Sequence, residues 1–159
     1  MYMRMKRLCV LCLFLTALSC DWLQDGERAA ASGGDDRAVF DTTGSCTIAQ
    51  ARLRVGEKKV CVRGYIVGGD LSQSASGIRL EAPFSAATNL ALADSLDIPG
   101  KEACLSVQLP SGTVRDALNL ADHPEHLGKK VWLKGDVVSA YFGLTGLKNV
   151  TDFCWESSE

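Results

Sequence analysis

The chain has 159 residues, with 17 basic and 19 acidic side chains, a formal net charge of -2 and 47% hydrophobic residues. This length fits one domain with a substantial core. Between residues 45 and 155 the charges nearly balance, 12 basic against 11 acidic. A balanced domain disfavours strong nonspecific binding to a nucleic-acid backbone, which requires a concentrated basic face.

The N-terminus has the pattern of an export signal. Three basic residues precede an apolar run over residues 8–18, and Ser19 and Cys20 follow it. The run is too short to cross a bilayer as a helix, and the charged start with a small residue before the cysteine is typical of a cleaved signal. The ending ALSC resembles a bacterial lipobox, which implies cleavage before Cys20 and lipidation of its thiol. An ordinary secretory signal that ends near a cysteine is the alternative.

The predicted cleavage divides the chain into four parts. Residues 1–19 form the signal peptide, and the chain without them has 14 basic and 19 acidic residues, a net charge near -5. Residues 20–44 are small, polar and acidic, which predicts a disordered tether. A folded domain follows over residues 45–155, with a tail over 156–159. We expect a lipid-anchored protein of the bacterial cell envelope, on the outer membrane's periplasmic face or on the cell surface, with the membrane as its partner.

Four of the seven cysteines remain after the predicted cleavage and lipidation: Cys46, Cys61, Cys104 and Cys154. An exported domain meets conditions that permit disulfides, and four cysteines allow three pairings. Because Cys46 and Cys154 flank the domain, a disulfide between its two ends is the favoured pair. A zinc-thiolate site is disfavoured, since no Cys-x-x-Cys pair survives cleavage.

The first predicted element of the domain is a short helix. Thr47 and Gln50 form a capping-box pattern at its start. Ile48, Ala51 and Val55 fall on one face, which predicts that they are buried, and Gly56 is placed to end the helix.

Five strands are predicted after this helix, at residues 59–68, 88–93, 102–109, 129–138 and 147–153, with a helical turn over 114–118. A polar stretch over 70–87 separates the first two strands. Gly64 interrupts the first strand and predicts a bulge or bend. Five strands with a helix between the third and fourth follow the order of an OB-fold. We therefore predict a mostly β protein, a small five-stranded OB-like Greek-key barrel; a generic β-sandwich is the alternative.

Five segments in order resemble one known family: KVCVRGYIVGG, TNLALADS, CLSVQLPSGTVRDALNLADHP, LGKKVWLKGDV and YFGLTGLKNVTDF. The chain resembles an uncharacterised OB-fold-like domain family of exported Bacteroidetes lipoproteins over about residues 47–154. The resemblance implies the fold and the exported setting, and it implies no catalytic residues. The family tends to have asparagine where this chain has His123, which argues against a histidine-based site common to the family.

The sequence offers little for catalysis. His123 and His126 are the two histidines, and Pro124 between them indicates a turn with exposed side chains; a metal site would also need Asp122 or Glu125. A nucleophile elbow and a phosphate-binding loop are both absent from the sequence. Two aspartates at strand ends, Asp94 and Asp136, could meet as an acid pair, but aspartate commonly ends strands. We predict no catalytic residue, no metal and no cofactor.

The candidate ligand-binding residues combine aromatic rings with hydrogen-bond donors, which can stack on bases or sugars and bond to them. They are Arg63, Tyr65, Arg115, Asn119, Tyr141, Phe142 and Lys148. Each also has a structural alternative, as a packed ring, a solvated strand residue or a cap on backbone groups.

These features predict a non-catalytic binding module for glycan, oligonucleotide or an envelope protein, with nucleic acid disfavoured by charge. The alternatives are a structural or accessory subunit of a surface assembly, and a small exported hydrolase of the nuclease type. An enzyme would show acids, or acid and histidine, converging at a pocket. A binding module would show an open groove of aromatic rings and donors, and a structural subunit an exposed apolar patch.

Overall fold

A computed structural model describes residues 40–72 and 77–156 of the chain. The predicted signal peptide, Cys20 and most of the predicted tether lie outside the described residues, and lipidation stays a prediction. The described residues belong to one compact unit. Within the described ranges, no helix has the length and apolar character needed to cross a membrane.

Five strands and two short α-helices make up the domain. The strands are β1 (Val60–Gly69), β2 (Asn89–Ala93), β3 (Leu105–Gln108), β4 (Lys130–Tyr141) and β5 (Leu144–Trp155). The helices are α1 (Ile48–Ala51) and α2 (Thr113–Leu118), with 3-10 turns at Lys101–Ala103 and Pro124–His126. The strands close into a barrel in the order β1-β2-β3-β5-β4. The predicted mostly β, five-stranded fold is confirmed.

Strand β1 serves two neighbours, and this closes the barrel. Its residues Val60–Tyr65 pair with β4, and Tyr65–Gly69 pair with β2. The register with β2 shifts between Ile66 and Gly68. The irregularity was predicted at Gly64 and lies further along the strand. Gly64 has another role: a Cβ there would lie 2.8 Å from Ile48 Cδ1, so only glycine lets α1 pack this closely on β1.

Alternating strand residues fill the barrel interior, as period-2 patterning requires. The largest fully buried side chains of the strands are Ile66, Leu90, Leu92, Leu105, Leu133 and Leu147. Each contributes about 1.5–3 kcal/mol of burial free energy. Ile48 from α1 and Leu118 from α2 join the same core. Val55, predicted to join them, is 48% exposed because α1 ends at Ala51.

Helix α1 has two sources of N-terminal capping. The predicted capping box is present, with Thr47 and Gln50 exchanging side-chain and backbone hydrogen bonds. Asp94, at the end of β2, adds a tertiary cap: its carboxylate accepts hydrogen bonds from Ile48 N at 2.7 Å and Ala49 N at 2.9 Å. A single helical turn leaves its amide groups without helical partners, so Asp94 fastens α1 to the sheet.

The polar stretch after β1 is held by Asp70. Its carboxylate accepts hydrogen bonds from Ser85 N, Ser85 Oγ and Ala86 N, and it forms an ion pair with Arg79 at 3.3 Å. Burial acts to raise the pKa of Asp70, but the hydrogen bonds from Ala86 and Ser85, with the Arg79 charge, lower it overall. Asp70 therefore fixes the return of this stretch toward β2.

The four cysteines of the domain are free thiols, and the predicted disulfide between Cys46 and Cys154 is not formed. Cys46 forms an isolated parallel β-bridge with Val62 of β1. Cys154 lies opposite Trp132 on β4, which lies opposite Arg63 on β1. Strands β1 and β4 thus separate the two cysteines along the sheet. Strand spacings of about 4.8 Å place them beyond the roughly 4.4–6.8 Å between Cα atoms that a disulfide spans.

Candidate functional site

The domain has a cleft of about 520 Å³ that is lined by Tyr65, His126, Gly128, Lys129, Lys130, Trp155 and Glu156. We call it the Tyr65–Trp155 cleft. Three strands form it: Tyr65 lies opposite Lys130, the first residue of β4, and Trp155 ends β5 opposite Val131. Residues far apart in sequence therefore meet because β4 pairs with both β1 and β5.

The cleft combines two ammonium groups with two aromatic rings. Lys130 Nζ lies 5.0 Å from the centroid of the Tyr65 ring, and Lys129 Nζ lies 5.7 Å from that of Trp155. Lys130 also forms an ion pair with Glu156 at 3.3 Å. Cations near ring faces are attracted by the ring quadrupole. This combination suits a phosphodiester strand, whose phosphates need cations and whose bases stack on rings.

A cluster of two histidines and one glutamate adjoins the cleft; we call His123, Glu125 and His126 the histidine cluster. Glu125 Oε1 lies 3.2 Å from His123 Nδ1 and 3.6 Å from His126 Nε2. The two imidazole rings stack with centroids 4.9 Å apart, and His126 packs on Trp155 at 4.6 Å. The His126 side chain is only 13% exposed. The prediction of exposed loop histidines is therefore wrong for His126.

The cluster's protonation follows from its surroundings. Burial lowers the pKa of His126, and the neighbouring Lys129 and His123 charges lower it further against the opposing effect of Glu125. The pKa of Glu125 is lowered, and the largest cause is a hydrogen bond from its own backbone N–H. The two histidines lower it as well. At neutral pH the cluster thus combines a neutral His126 imidazole with an ionised carboxylate.

The family of this chain follows from a comparison with known protein families. Residues 46–156 match DUF6359, a domain of unknown function. The chain belongs to this family. The resemblance to an uncharacterised domain family is thereby confirmed.

One curated relative is an enzyme. The chain is 40% identical over 94 residues to Endonuclease YhcR of Bacillus subtilis (strain 168). The match covers 59% of this chain and 7% of the endonuclease, so the chain spans a small part of that protein's length.

This relationship corrects the main functional prediction. A non-catalytic module for glycan, oligonucleotide or an envelope protein was expected, whereas the named relative is an endonuclease. The acid and histidines that converge beside the cleft are also the feature expected of an enzyme. The hydrolase alternative of the nuclease type is therefore the better supported one.

The structure brings only one of the predicted ligand-binding residues into the cleft. Tyr65 lines it. Arg63 is exposed on β1, opposite Trp132. Lys148 lies on β5 with its Nζ 5.5 Å from the Tyr141 ring, and neither residue lines the cleft.

Arg115 and Asn119, two of the predicted ligand-binding residues, form hydrogen bonds within the fold and do not line the cleft. Arg115 Nε and Nη2 donate to Leu109 O at 3.1 and 2.9 Å, which ties α2 to the end of β3. Asn119 is 1% exposed; its Nδ2 donates to Arg115 O and its Oδ1 accepts from Asp122 N. Both polar groups of Asn119 are thus used inside the fold, as its structural alternative required.

Tyr141 and Phe142 form a packed corner, which was their structural alternative. Phe142 and Gly143, both with positive φ, make the two-residue turn from β4 to β5. The two rings meet edge to face at 4.7 Å, and burial raises the pKa of Tyr141. Their rings pack on a second apolar cluster around Val67.

The considered acid pair is not formed, because Asp94 and Asp136 have different partners. Asp94 caps α1. Asp136 accepts hydrogen bonds from Lys58 Nζ, Lys59 N and Asn149 Nδ2. The bonds from Asn149 and Lys59 lower the pKa of Asp136. Each carboxylate therefore stabilises its own part of the fold, and the two do not form a common acid-base site.

Sequence reasoning missed most of the cleft: Lys129, Lys130, Trp155 and Glu156 were not candidates. The local signal was the run from His123 to Lys130, which carries two histidines, a glutamate and two lysines within eight residues. The Pro124–His126 turn brings the acid within 3.6 Å of a nitrogen of each imidazole. No local pattern indicates that Tyr65 and Trp155 complete the site.

Proposed function

We propose that this chain is a nuclease-related hydrolase that holds a nucleic-acid strand in the Tyr65–Trp155 cleft and supports cleavage of its phosphodiester bonds. The similarity to an endonuclease supports the substrate class. The observation that carries the proposal is the convergence of acid and histidine beside a cleft that offers two lysines and two aromatic rings.

Different residues of the cleft contact different parts of the bound nucleic-acid strand. Lys129 and Lys130 meet phosphates, while Tyr65 and Trp155 offer ring faces to bases, worth about 1–3 kcal/mol for each stacked base. Because the rest of the domain is nearly neutral, few other cations contribute. Two phosphate contacts predict a shallow salt dependence, with a slope of log K on log salt of about -1.4 for a single strand.

The histidine cluster supplies the groups that hydrolysis needs. Water must lose a proton as it attacks phosphorus, and the leaving oxygen must gain one. A neutral His126 accepts the proton from water, the ionised Glu125 beside it stabilises the imidazolium that results, and the imidazolium then donates the proton to the leaving oxygen. His126 lines the cleft directly, so this exchange takes place beside the bound strand.

We also infer that the barrel is an OB-fold. Its closed five-stranded order and the helix between β3 and β4 support this assignment. OB-folds commonly bind oligonucleotides across strands 2 and 3 and the flanking loops. The cleft here involves β1, β4 and β5 instead, so a strand bound there would follow a different path.

Cleavage of defined oligonucleotides by the purified full chain tests the proposal. Fluorescent single- and double-stranded DNA and RNA are incubated with the protein, and products are resolved by size, with Mg²⁺, Mn²⁺, Ca²⁺ or Zn²⁺ supplied separately. We expect cleavage that falls at least tenfold in the Lys129→Ala/Lys130→Ala variant. Lys148→Ala is the matched control, because Lys148 also lies over a tyrosine ring but does not line the cleft.

Two results would contradict the proposal. One is a lack of cleavage of every substrate with every ion. The other is equal activity in the double variant and the wild type, since the cleft would then have no part in the reaction.

The location of the protein is a separate proposal. We propose that Cys20 is lipidated and anchors the chain in the cell envelope, on the basis of the ALSC ending. Two or three acyl chains give stable anchoring where one gives only weak binding.

A further inference from the structure

We infer that His123, Glu125 and His126 form a binding site for one divalent transition-metal ion of the zinc type. The inference does not depend on the proposed nuclease function, since it rests on the cluster's geometry alone. It also differs from the sequence prediction, which had neither a metal nor a cofactor.

The two distances from Glu125 to the histidines match the separation of ligand atoms around a small tetrahedral ion. Ligand atoms bound at about 2.1 Å in tetrahedral geometry lie about 3.4 Å apart. Glu125 Oε1 lies 3.2 Å from His123 Nδ1 and 3.6 Å from His126 Nε2. One atom from each of the three side chains lies within 4.8 Å of the others. The chain therefore presents three candidate ligand atoms within 4.8 Å of one another, and both of the short separations involve Glu125.

The partner of His123 fixes which of its nitrogens faces the acid. His123 Nε2 lies 3.0 Å from Asp116 O, and a carbonyl oxygen only accepts, so Nε2 carries the hydrogen. His123 Nδ1 then faces Glu125 Oε1 at 3.2 Å. A separation this short requires a proton or a metal ion between the two atoms. A carbonyl that orients a ligating histidine in this way is a common feature of metal sites.

His126 also presents a ring nitrogen, Nε2, to Glu125. Its Nε2 is 3.6 Å from Glu125 Oε1, beyond ordinary hydrogen-bond length. Its Nδ1 is buried and has no hydrogen-bond partner among the described residues. The ring is instead positioned by its packing on Trp155 and on His123. This packing holds the His126 ring with its Nε2 toward Glu125.

The donor set selects the class of ion. Two imidazole nitrogens and one carboxylate oxygen suit zinc, copper or nickel, whereas Mg²⁺ and Ca²⁺ prefer oxygen ligands throughout. Three protein ligands leave a coordination position for water or a phosphate oxygen, which is the arrangement of catalytic rather than structural zinc sites. The site therefore suits an ion that can also contact a ligand in the adjoining cleft. With such an ion bound, His126 would be a ligand, and the ion would activate the attacking water in place of His126.

Zinc binding by the metal-free full chain, kept reduced, tests the inference directly. The probe is ZnCl₂ alone, titrated in competition with a chromophoric chelator. The variants are Glu125→Gln and His123→Asn, both at partly exposed side chains that leave the packing of His126 on Trp155 in place. The control is Glu81→Gln, an exposed glutamate outside the cluster. Co²⁺ spectra separate nitrogen and oxygen ligands from thiolates, since the domain also has four free thiols.

We expect one zinc ion per chain, with affinity lowered at least tenfold in both cluster variants and unchanged in the control. A wild type that binds no zinc at micromolar concentration would overturn the inference, as would binding equal in all variants or with thiolate spectra. Oligonucleotide cleavage is measured on the same samples. Cleavage without zinc binding would overturn the metal site and leave the proposed function standing. Zinc binding without cleavage would overturn the proposed function and leave the metal site standing.

Discussion

Tyr65 and Lys130 lie directly opposite each other on β1 and β4, with the lysine Nζ 5.0 Å from the tyrosine ring. Tyr65 also pairs with Ala93 on β2, so it occupies the point where β1 passes from one neighbour to the other. The Tyr65–Trp155 cleft lies beside this point. The geometry that closes the barrel therefore also positions the candidate site.

Removal of the Tyr65 ring should weaken binding of single-stranded nucleic acid. Tyr65→Ala loses a stacking surface, so we expect about a 5- to 150-fold rise in the dissociation constant, which corresponds to 1–3 kcal/mol. Fluorescence anisotropy with a labelled oligonucleotide measures it. Tyr141→Ala is the control, because that ring packs in the β4–β5 corner. Equal losses in both variants would argue against the cleft.

Glu156 should limit binding of polyanions, because it neutralises Lys130. The two groups are 3.3 Å apart, and Glu156 N also donates to Lys130 O. Glu156→Gln keeps the shape and the backbone bond but removes the charge. We expect oligonucleotide affinity to rise about threefold to tenfold at low salt, with a smaller gain at high salt. An unchanged affinity at low salt would mean that no phosphate reaches Lys130.

Asp70 should stabilise the fold in a pH-dependent way. Its pKa is lower in the folded chain, so its contribution is present above the unfolded value near 3.8 and is lost as pH falls through the folded value. Asp70→Asn should therefore cost about 1–3 kcal/mol at pH 7, from weakened charge-assisted hydrogen bonds. Urea unfolding at several pH values measures this cost. The difference from wild type should shrink below pH 4, and a constant difference would contradict the account.

The inner face of β4 should carry much of the stability. Leu133 is fully buried in the core, so Leu133→Ala should lower the free energy of unfolding by about 2–5 kcal/mol. Leu53→Ala is the matched control, because Leu53 is 87% exposed and should change stability by less than about 0.5 kcal/mol. Chemical denaturation of both variants compares them, and a small effect at Leu133 would count against the barrel core.

Cys20 should decide membrane attachment. Cys20→Ser removes the thiol that the lipobox-like ending offers. We expect the wild type to partition into detergent and the variant to stay in the aqueous phase, with acyl chains on the mature wild-type N-terminus detected by mass spectrometry. Cys46→Ser is the control cysteine. A wild-type protein that retains Met1 and carries no lipid would refute the anchor.

Much of the fold was predictable because its determinants are local. Alternating apolar residues placed the five strands to within a few residues, with β3 starting later because Lys101–Ala103 form a 3-10 turn. The capping box of α1 was readable because Thr47 and Gln50 are three residues apart. Periods of two and short capping motifs act over a few residues, so a sequence reveals them directly.

Tertiary structure alone decided the site, because its contacts join distant residues. Tyr65, Lys130 and Trp155 meet through strand pairing, and Asp94 reaches α1 across 46 residues. Arg115 and Asn119, by contrast, form structural hydrogen bonds with partners only four to six residues away in the chain. The sequence by itself determined where strands and the first helix form, since side-chain alternation and capping are local. Which side chains share a cleft depended on how the strands pair around the barrel, and local patterns do not encode that.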